Sequence, residues 1–455
     1  MAEHLLSVGL DVGTTSTQMI VSELTVENRA SAFAVPELEI SQRKIRYRSA
    51  VHFTPLLDES HVDAIALRAL VEAEYRQAGI TREMVDTGAV IVTGETSRRE
   101  NARAVMEALA ELAGDFVVAT AGPDLESRLS AMGAGAVDYS RKTGCPVLHM
   151  DIGGGTSNLS LIVEGKIVRT GCLNVGGRLI KVDDRGFISY VSPVVSELTS
   201  LKPGQPATLS ELEALAEKLV QALEMAAGLR IPTKLLEQLS TREAETKWSP
   251  PETECVISFS GGVADCIPKE HPPFAFGDMG PALGQAIRRS CLCQGEFLMG
   301  EETIRATVIG AGCHSAQLSG STVFCQNVTF PLKNLPVLPG ESADLAQQIR
   351  GQDGAFVVSL GGLAAPSYDQ VTDLARQMTE VMGTGPVYLC LQQDMAKALG
   401  QALALRLGKD RPILCLDRVQ VSMGSFLDVG APVGPALPVV VKTLVLGDEL
   451  RNQVK

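Results

Sequence analysis

The chain has 455 residues, 45% of them hydrophobic, with 40 basic and 53 acidic side chains and a formal net charge of −13. Such a length is a prior for about three domains and lets a chain bury on the order of three quarters of its unfolded surface. The acidic balance lacks the basic face of a general nucleic-acid binder, so protein and nucleotide partners are expected and nucleic acid is not.

From the N-terminus, Leu5 to Leu10 forms an apolar run of strand length, Asp11-Val12-Gly13-Thr14-Thr15-Ser16-Thr17 follows, and Met19 to Leu24 is a second apolar run. The unit reads strand, tight Gly/Thr turn, strand. Lys44, Arg46 and Arg48 then alternate with Ile45 and Tyr47, putting three cations on one face of a strand. A solvated edge strand guarded by charge and a face for an acidic partner both stay open. An amphipathic pattern runs near Val62 to Ala78. Gly122-Pro123-Asp124-Leu125-Glu126-Ser127 through Gly133-Ala134-Gly135-Ala136 then offers a proline suited to a helix start and small residues suited to a close helix crossing.

Pro146 to Met150 leads into Asp151-Ile152-Gly153-Gly154-Gly155-Thr156-Ser157-Asn158, and Leu159 to Val163 follows. This is the first turn again in altered form. Subtracting 11 from 151 gives an offset of 140, at which Gly13 meets Gly153, Ser16 meets Thr156, Thr17 meets Ser157 and Gln18 meets Asn158 without a gap. Glycine allows positive φ and close approach, so successive N–H groups can be aimed at phosphate oxygens while Thr and Ser hydroxyls add donors. A hairpin rich in turn formers would account for one copy; the matched pair points to phosphate. Asp11 and Asp151, at the strand ends, would repel phosphate unless a hard cation lay between, and Mg²⁺ takes few direct protein ligands.

Further on, a helix is expected over Leu209 to Leu229. A Pro/Thr-rich connection at Thr246 to Thr253, holding the only tryptophan, Trp248, is expected to be exposed. Cys255 to Val263 is an apolar strand running into Gly261 and Gly262, and Ile304 to Ser315 is again rich in small residues. From about residue 321, strands at Ala355 to Leu360, Pro386 to Leu391 and Pro412 to Leu416 alternate with helices at Tyr368 to Met382 and Asp394 to Leu407, the spacing of a small α/β domain with a parallel sheet. The ten cysteines are scattered, mostly in apolar runs, and Cys291-Leu292-Cys293 without a neighbouring His makes a poor metal site. No secretory leader and no membrane-spanning run are expected, which fits a reducing cytoplasm.

In order, these motifs resemble the actin, sugar-kinase and heat-shock-chaperone ATPase superfamily, in which two RNase-H-like lobes close on ATP. Over nearly the whole chain, the sequence is similar to the ethanolamine ammonia-lyase reactivating factors. The segments that carry this are 5–24, VTGETSRRENAR at 92–103, 114–127, LNVGGRLI at 173–180, FSGGVADC at 259–266, TVIGAGCHSAQLSGST at 307–322, QQDMAKALG at 392–400 and PVVVKTLVL at 438–446.

The resemblance implies an α/β fold of two actin-like ATPase lobes, 1–145 and 146–320, around a nucleotide cleft, plus a C-terminal α/β domain, 321–455, for client recognition or as a packing appendage. It implies ATP and Mg²⁺ as cofactors. Asp11 and Asp151 would hold the metal, Gly13, Thr14, Thr15, Gly153, Gly154, Gly155 and Thr156 the phosphates, and Gly261 and Gly262 the nucleoside. Asp151 or Glu126 would polarise the attacking water. The implied function is ATP-dependent, chaperone-like release of damaged cobalamin from ethanolamine ammonia-lyase so that adenosylcobalamin can rebind. That lyase is then the client, association with a bacterial microcompartment is compatible, and a homodimer stays open. The alternative from a different class is a small-molecule kinase of the same superfamily, with Asp265 or Asp278 as general base.

Overall fold

The computed structural model describes residues 3–13, 16–28, 38–58, 61–92, 117–120, 123–241, 248–300, 303–314, 316–318, 323–342, 344–352, 354–363, 365–419, 421, 425–430, 432 and 437–443. The chain divides into two compact units, Met1–Thr120 with Ser315–Lys455, and Ala121–His314. This differs from a cut near residue 145, because the helices that follow residue 122 pack on the second sheet.

In the N-terminal part of the first unit, β1 (Glu3–Val12), β2 (Ser16–Asn28) and β3 (Leu38–Arg48) run antiparallel, with the short β4 (His52–Phe53) beside β2. β5 (Thr87–Val92) and β6 (Val117–Thr120) add on in parallel, giving the order β3-β2-β1-β5-β6. Helix α1 (Ala64–Ala78) starts where the Asp63 side chain accepts from the N–H groups of Ile65 and Ala66, and stops at Gly79 with φ 68°. It lays Leu67 and Val71 on Val8, Leu10 and Val12 of β1 and on Val90 and Val92 of β5. The cations of β3 are exposed on a strand that, among the described residues, pairs only with β2, where Arg46 bonds Glu23.

The second unit opens with α2 (Pro123–Gly133) and α3 (Ala136–Thr143) and repeats the sheet pattern. β7 (Val147–Ile152), β8 (Ser157–Val163) and β9 (Lys166–Leu173) are antiparallel, and a hairpin of β10 (Ile180–Val182) and β11 (Ile188–Val191) follows. Beyond α4 (Leu209–Ala226) and α5 (Lys234–Leu239), β12 (Val256–Ser260) joins β7 in parallel. After α6 (Gly280–Arg289), β13 (Phe297–Met299) completes the order β9-β8-β7-β12-β13. Both sheets therefore share one strand order and one pattern of pairing, the two RNase-H-like sheets of an actin-like ATPase fold.

One face of the second sheet is apolar: Leu148, Met150 and Ile152 are buried under Leu219 and Leu223 of α4 and Leu283 and Ile287 of α6. Trp248, expected to be exposed, is buried in the same core, with its indole N–H donating to the Ala226 carbonyl at 3.0 Å. Gly171 leaves the room its ring occupies, since a Cβ there would lie 3.0 Å from Trp248 Cδ2.

On the other face, α2 crosses α7 (Ala306–His314) with backbones touching. A Cβ on Gly133 would sit 2.7 Å from the Gly310 nitrogen, and one on Gly310 would sit 2.6 Å from the Leu129 carbonyl carbon.

The chain then returns to the first unit through β14 (Ala316–Leu318), β15 (Phe324–Gln326), β16 (Leu332–Pro339), α8 (Leu345–Arg350), β17 (Val357–Leu360), α9 (Tyr368–Val381), β18 (Val387–Leu391), α10 (Ala396–Leu407), β19 (Ile413–Leu416), β20 (Ser425–Val429) and β21 (Pro438–Thr443). The expected strands and helices are present, but the sheet is mixed. Strands β16 to β19 are parallel, while β14, β21 and β20 on one side and β15 on the other are antiparallel.

Because backbone on both sides leaves nothing to move, Gly133→Ala and Gly310→Ala are each expected to cost at least about 1–3 kcal/mol. Urea denaturation checks this, and midpoints equal to that of the parent chain would show that the crossing is looser than described.

Candidate functional site

The two hairpins repeat in geometry as well as in sequence. Asp11 pairs with Gln18 and Val12 with Thr17 across β1 and β2; Asp151 pairs with Asn158 and Ile152 with Ser157 across β7 and β8. Gly13 donates its N–H to the Ser16 carbonyl at 2.9 Å, and Gly153 donates to the Thr156 carbonyl at 2.9 Å. Each turn is also fixed from behind. Thr54 Oγ1 donates to the Gly13 carbonyl at 2.8 Å, whereas in the second hairpin the N–H groups of Gly177 and Arg178 donate to the carbonyls of Gly153 and Gly154 at 3.0 and 2.6 Å.

That anchoring leaves the tip of the second turn open. Gly155 is exposed with nothing within 4 Å of a built Cβ, while the stem of Arg178 lies against Gly154. Thr14 and Thr15 lie outside the described residues. Asp11 is half-buried at the end of its strand in the first unit.

Four of the remaining expected positions cluster in the second unit. Asp151 is 8% exposed. Its Oδ1 accepts from the Ser260 hydroxyl at 2.5 Å, Oδ2 faces Thr307 Oγ1 of α7 at 3.5 Å, and the Asn158 amide also hydrogen-bonds it. Burial pushes this carboxyl up to about 6, and the bonds from Ser260, Thr307 and Asn158 hold it down against that. Asn158 Nδ2 donates to Glu126 Oε2 at 3.0 Å as well, so one amide joins the two carboxylates expected to handle water.

Gly261, at φ 88°, is buried against β7: a Cβ there would stand 2.6 Å from the Ile152 carbonyl carbon. Gly261 is thus committed to backbone contact, and it is Gly262 that is exposed. Of the two acids considered for a kinase, Asp278 accepts the Gly280 N–H at 2.8 Å at the entry to α6 and lies 3.5 Å from Arg178 Nε, and Asp265 accepts from Thr303.

Sequence reasoning passed over His149, Asn158, Ser258, Ser260 and Thr307. A legible signal was the alternation His149-Met150-Asp151 on β7 beside Ser258-Phe259-Ser260 on β12, which puts four polar groups on one face of two paired strands.

The group fits a hard divalent cation in its donor chemistry. Asn158 Oδ1 is buried without a hydrogen-bond partner, while Nδ2 of the same amide donates to Glu126, so the ligand atoms on offer, this oxygen and the carboxylates of Asp151 and Glu126, are all oxygen. Among the described residues no cluster of three or more His, Cys, Asp or Glu forms a closed cage. One or two carboxylates completed by water is the coordination that Mg²⁺ favours.

The family model for "Ethanolamine utilisation protein EutA" matches residues 3–447. A curated relative from Salmonella typhimurium (strain LT2), "Ethanolamine ammonia-lyase reactivase EutA", is 38% identical over 97% of this chain and 98% of its own. A protein of the same name from Escherichia coli (strain K12) is 37% identical over the same shares. The solved structure of the Aquifex aeolicus PPX-GPPA enzyme aligns with 68% of this chain and 99% of its own at 13% identity and a TM-score of 0.42.

Burial holds the His149 imidazole neutral, pushed down to about 3. An unfolded histidine takes up a proton below about pH 6.5, so this contribution to stability is present above that pH and lost as pH falls toward 3. Asp151 acts in the opposite sense, favouring the fold at low pH and losing that as pH rises through about 6. Urea midpoints taken from about pH 7 down to about pH 4 should therefore fall more steeply for the parent chain than for His149→Gln; parallel curves would show that the ring is not kept neutral.

Proposed function

The chain belongs to the ethanolamine utilisation protein EutA family, and from that premise we propose that it is an ATP-hydrolysing reactivase of ethanolamine ammonia-lyase. One observation supports the nucleotide part: two hairpins with the same register, the same Gly-to-Ser/Thr turn bond and an aspartate at the same strand position. The client is inferred from the two relatives, both reactivases of ethanolamine ammonia-lyase by name. No described helix is long and apolar enough to cross a membrane.

In this reading each hairpin takes phosphate oxygens on backbone N–H groups, those of Thr14 and Thr15 in the first and of Gly154, Gly155 and Thr156 in the second, while the N–H groups of Gly13 and Gly153 close their own turns and these two glycines let the phosphate come near. Bound MgATP supplies a phosphoanhydride whose cleavage releases inorganic phosphate. Asp11 and Asp151 would hold the metal, directly or through water, and exposed Gly262 offers the nucleoside more room than buried Gly261. Asp151 or Glu126 would orient the attacking water, and Asn158 sets their mutual position.

Hydrolysis then switches the grip on the client. A chaperone that binds the lyase unequally in its ATP and ADP forms needs a bias of about 5.5 kcal/mol to move a population from 1:99 to 99:1. In one state the client would be held loosened, damaged cobalamin would leave, and adenosylcobalamin would take its place. The small-molecule kinase is not favoured, since Asp278 and Asp265 serve as a helix-entry acceptor and a loop acceptor.

Lyase inactivated with cyanocobalamin and then supplied with adenosylcobalamin, Mg²⁺ and this chain should recover activity with ATP and not without it. ATP hydrolysis with no recovery would return the kinase and other clients to the front. In the same assay Asp11→Ala, Asp151→Ala and Glu126→Ala test the site. The residue that orients water should lose about 100-fold or more in ATP turnover, and parental rates in all three would remove the site altogether.

A further inference from the structure

His149 and Asp151 project from the same face of β7, and Ser258 and Ser260 project from that face of the neighbouring β12, with Ser258 opposite His149 and Ser260 opposite Asp151 in the parallel register. Exposures are 0% for His149, 1% for Ser258 and 0% for Ser260. The contacts form one line: Ser258 Oγ to His149 Nδ1 at 3.0 Å, His149 Nε2 to Ser260 Oγ at 3.0 Å, and Ser260 Oγ to Asp151 Oδ1 at 2.5 Å.

Hydrogen inventory fixes the direction of this line. A serine hydroxyl has a single proton, and that of Ser260 goes to Asp151 Oδ1. His149 Nε2 must then carry a hydrogen and donate it to Ser260 Oγ. A neutral imidazole has only one N–H, so Nδ1 is an acceptor and receives the Ser258 hydroxyl. Every member is satisfied, and no other arrangement of the same protons leaves all three contacts as hydrogen bonds while Ser260 donates.

We propose that Ser258, His149 and Ser260 are positioning residues that orient Asp151 through this directional chain, pinning Oδ1 so that Oδ2 and the Asn158 amide face the reacting groups. The proposal rests on the reading of Asp151 as part of an ATP-hydrolysing site. Ser260 bonds the Asp151 carboxylate directly, and His149 and Ser258 reach it through Ser260, so each acts through the carboxylate. A histidine kept only for packing would not need a serine on each ring nitrogen, and Phe259 and Met150 on the opposite face show that these strands otherwise take apolar side chains.

The experiment is steady-state ATP turnover by the full chain carrying His149→Leu, His149→Gln, Ser260→Ala or Asp151→Asn, each with its thermal midpoint. His149→Leu removes the Nε2 donor, and kcat is expected to fall about 10–100-fold with KM for ATP changed by less than about threefold, a split that general loosening would not give. His149→Gln places an amide N–H₂ where Nε2–H stood and should recover most of that loss. Ser260→Ala, the change gentlest on packing, should repeat the fall in kcat.

Parental kcat in both His149→Leu and Ser260→Ala, with Asp151→Asn impaired, would overturn the positioning role while leaving the site in place. Equal loss in His149→Leu and His149→Gln, tracking a drop in thermal midpoint, would overturn it in favour of a packing role. Parental turnover in Asp151→Asn would overturn the reading of Asp151 itself, and the positioning role with it.

Discussion

Two helices can cross with their backbones in contact only where neither has a side chain at the crossing, and Gly133 on α2 and Gly310 on α7 meet that condition. The crossing sets how closely both helices approach the second sheet. α2 brings Glu126 in its first turn to Asn158, and α7 brings Thr307 to Asp151. Buried serines secure α2 from beneath: Ser160 donates to the Ser127 carbonyl at 2.8 Å, and the Ser127 hydroxyl, 2.7 Å from the Pro123 carbonyl and 3.2 Å from that of Gly171, shares its single proton between them. With a bulkier residue at either glycine, the helices would stand off and the groups around Asp151 would separate.

The second sheet is divided by its pleat. Residues 148, 150 and 152 of β7 are apolar and carry the main core, while 149 and 151 are polar and carry the hydrogen-bonded line to β12. Burying a carboxylate without partners would cost far more than the fold could spare. Here Asp151 stays partly ionisable near neutrality because three neutral donors surround it in place of a cation. This suits the proposed role of Asp151 beside phosphate and metal, where a permanent ion pair with Lys or Arg would compete with the ligand. Arg178, whose stem lies against Gly154 of the second turn, is instead drawn to buried Asp278.

Much of the fold was legible because local signals and long-range pairing agreed. The offset of 140 between the hairpins becomes an identical strand register, and the small residues at 133 and 310 become the helix crossing. What escaped reading depends on neighbours distant in sequence. Trp248 sits in a Pro/Thr-rich stretch that resembles a surface loop, yet the indole fits above Gly171, 77 positions earlier by subtraction of the two residue numbers. The edges of the C-terminal sheet are short or separated strands whose antiparallel partners no local pattern announces. Within the site, glycines and aspartates stood out by type; serines and a histidine inside apolar strands did not, since their meaning comes only from pairing β7 with β12.

The first unit is discontinuous, built from Met1–Thr120 and Ser315–Lys455, whereas the second is one uninterrupted stretch between them. β14 and β21, from the late segment, lie beside β3 and β6 of the early one. On a ribosome adding about 5–20 residues per second, the continuous unit has all of its strands available while the discontinuous one still waits for its second half. The N-terminal sheet has all of its own strands by Thr120, but the strands that come to lie beside it are made last. Its β3 edge spends that interval uncovered, with the cations of β3 along it as a guard against pairing with the wrong strand.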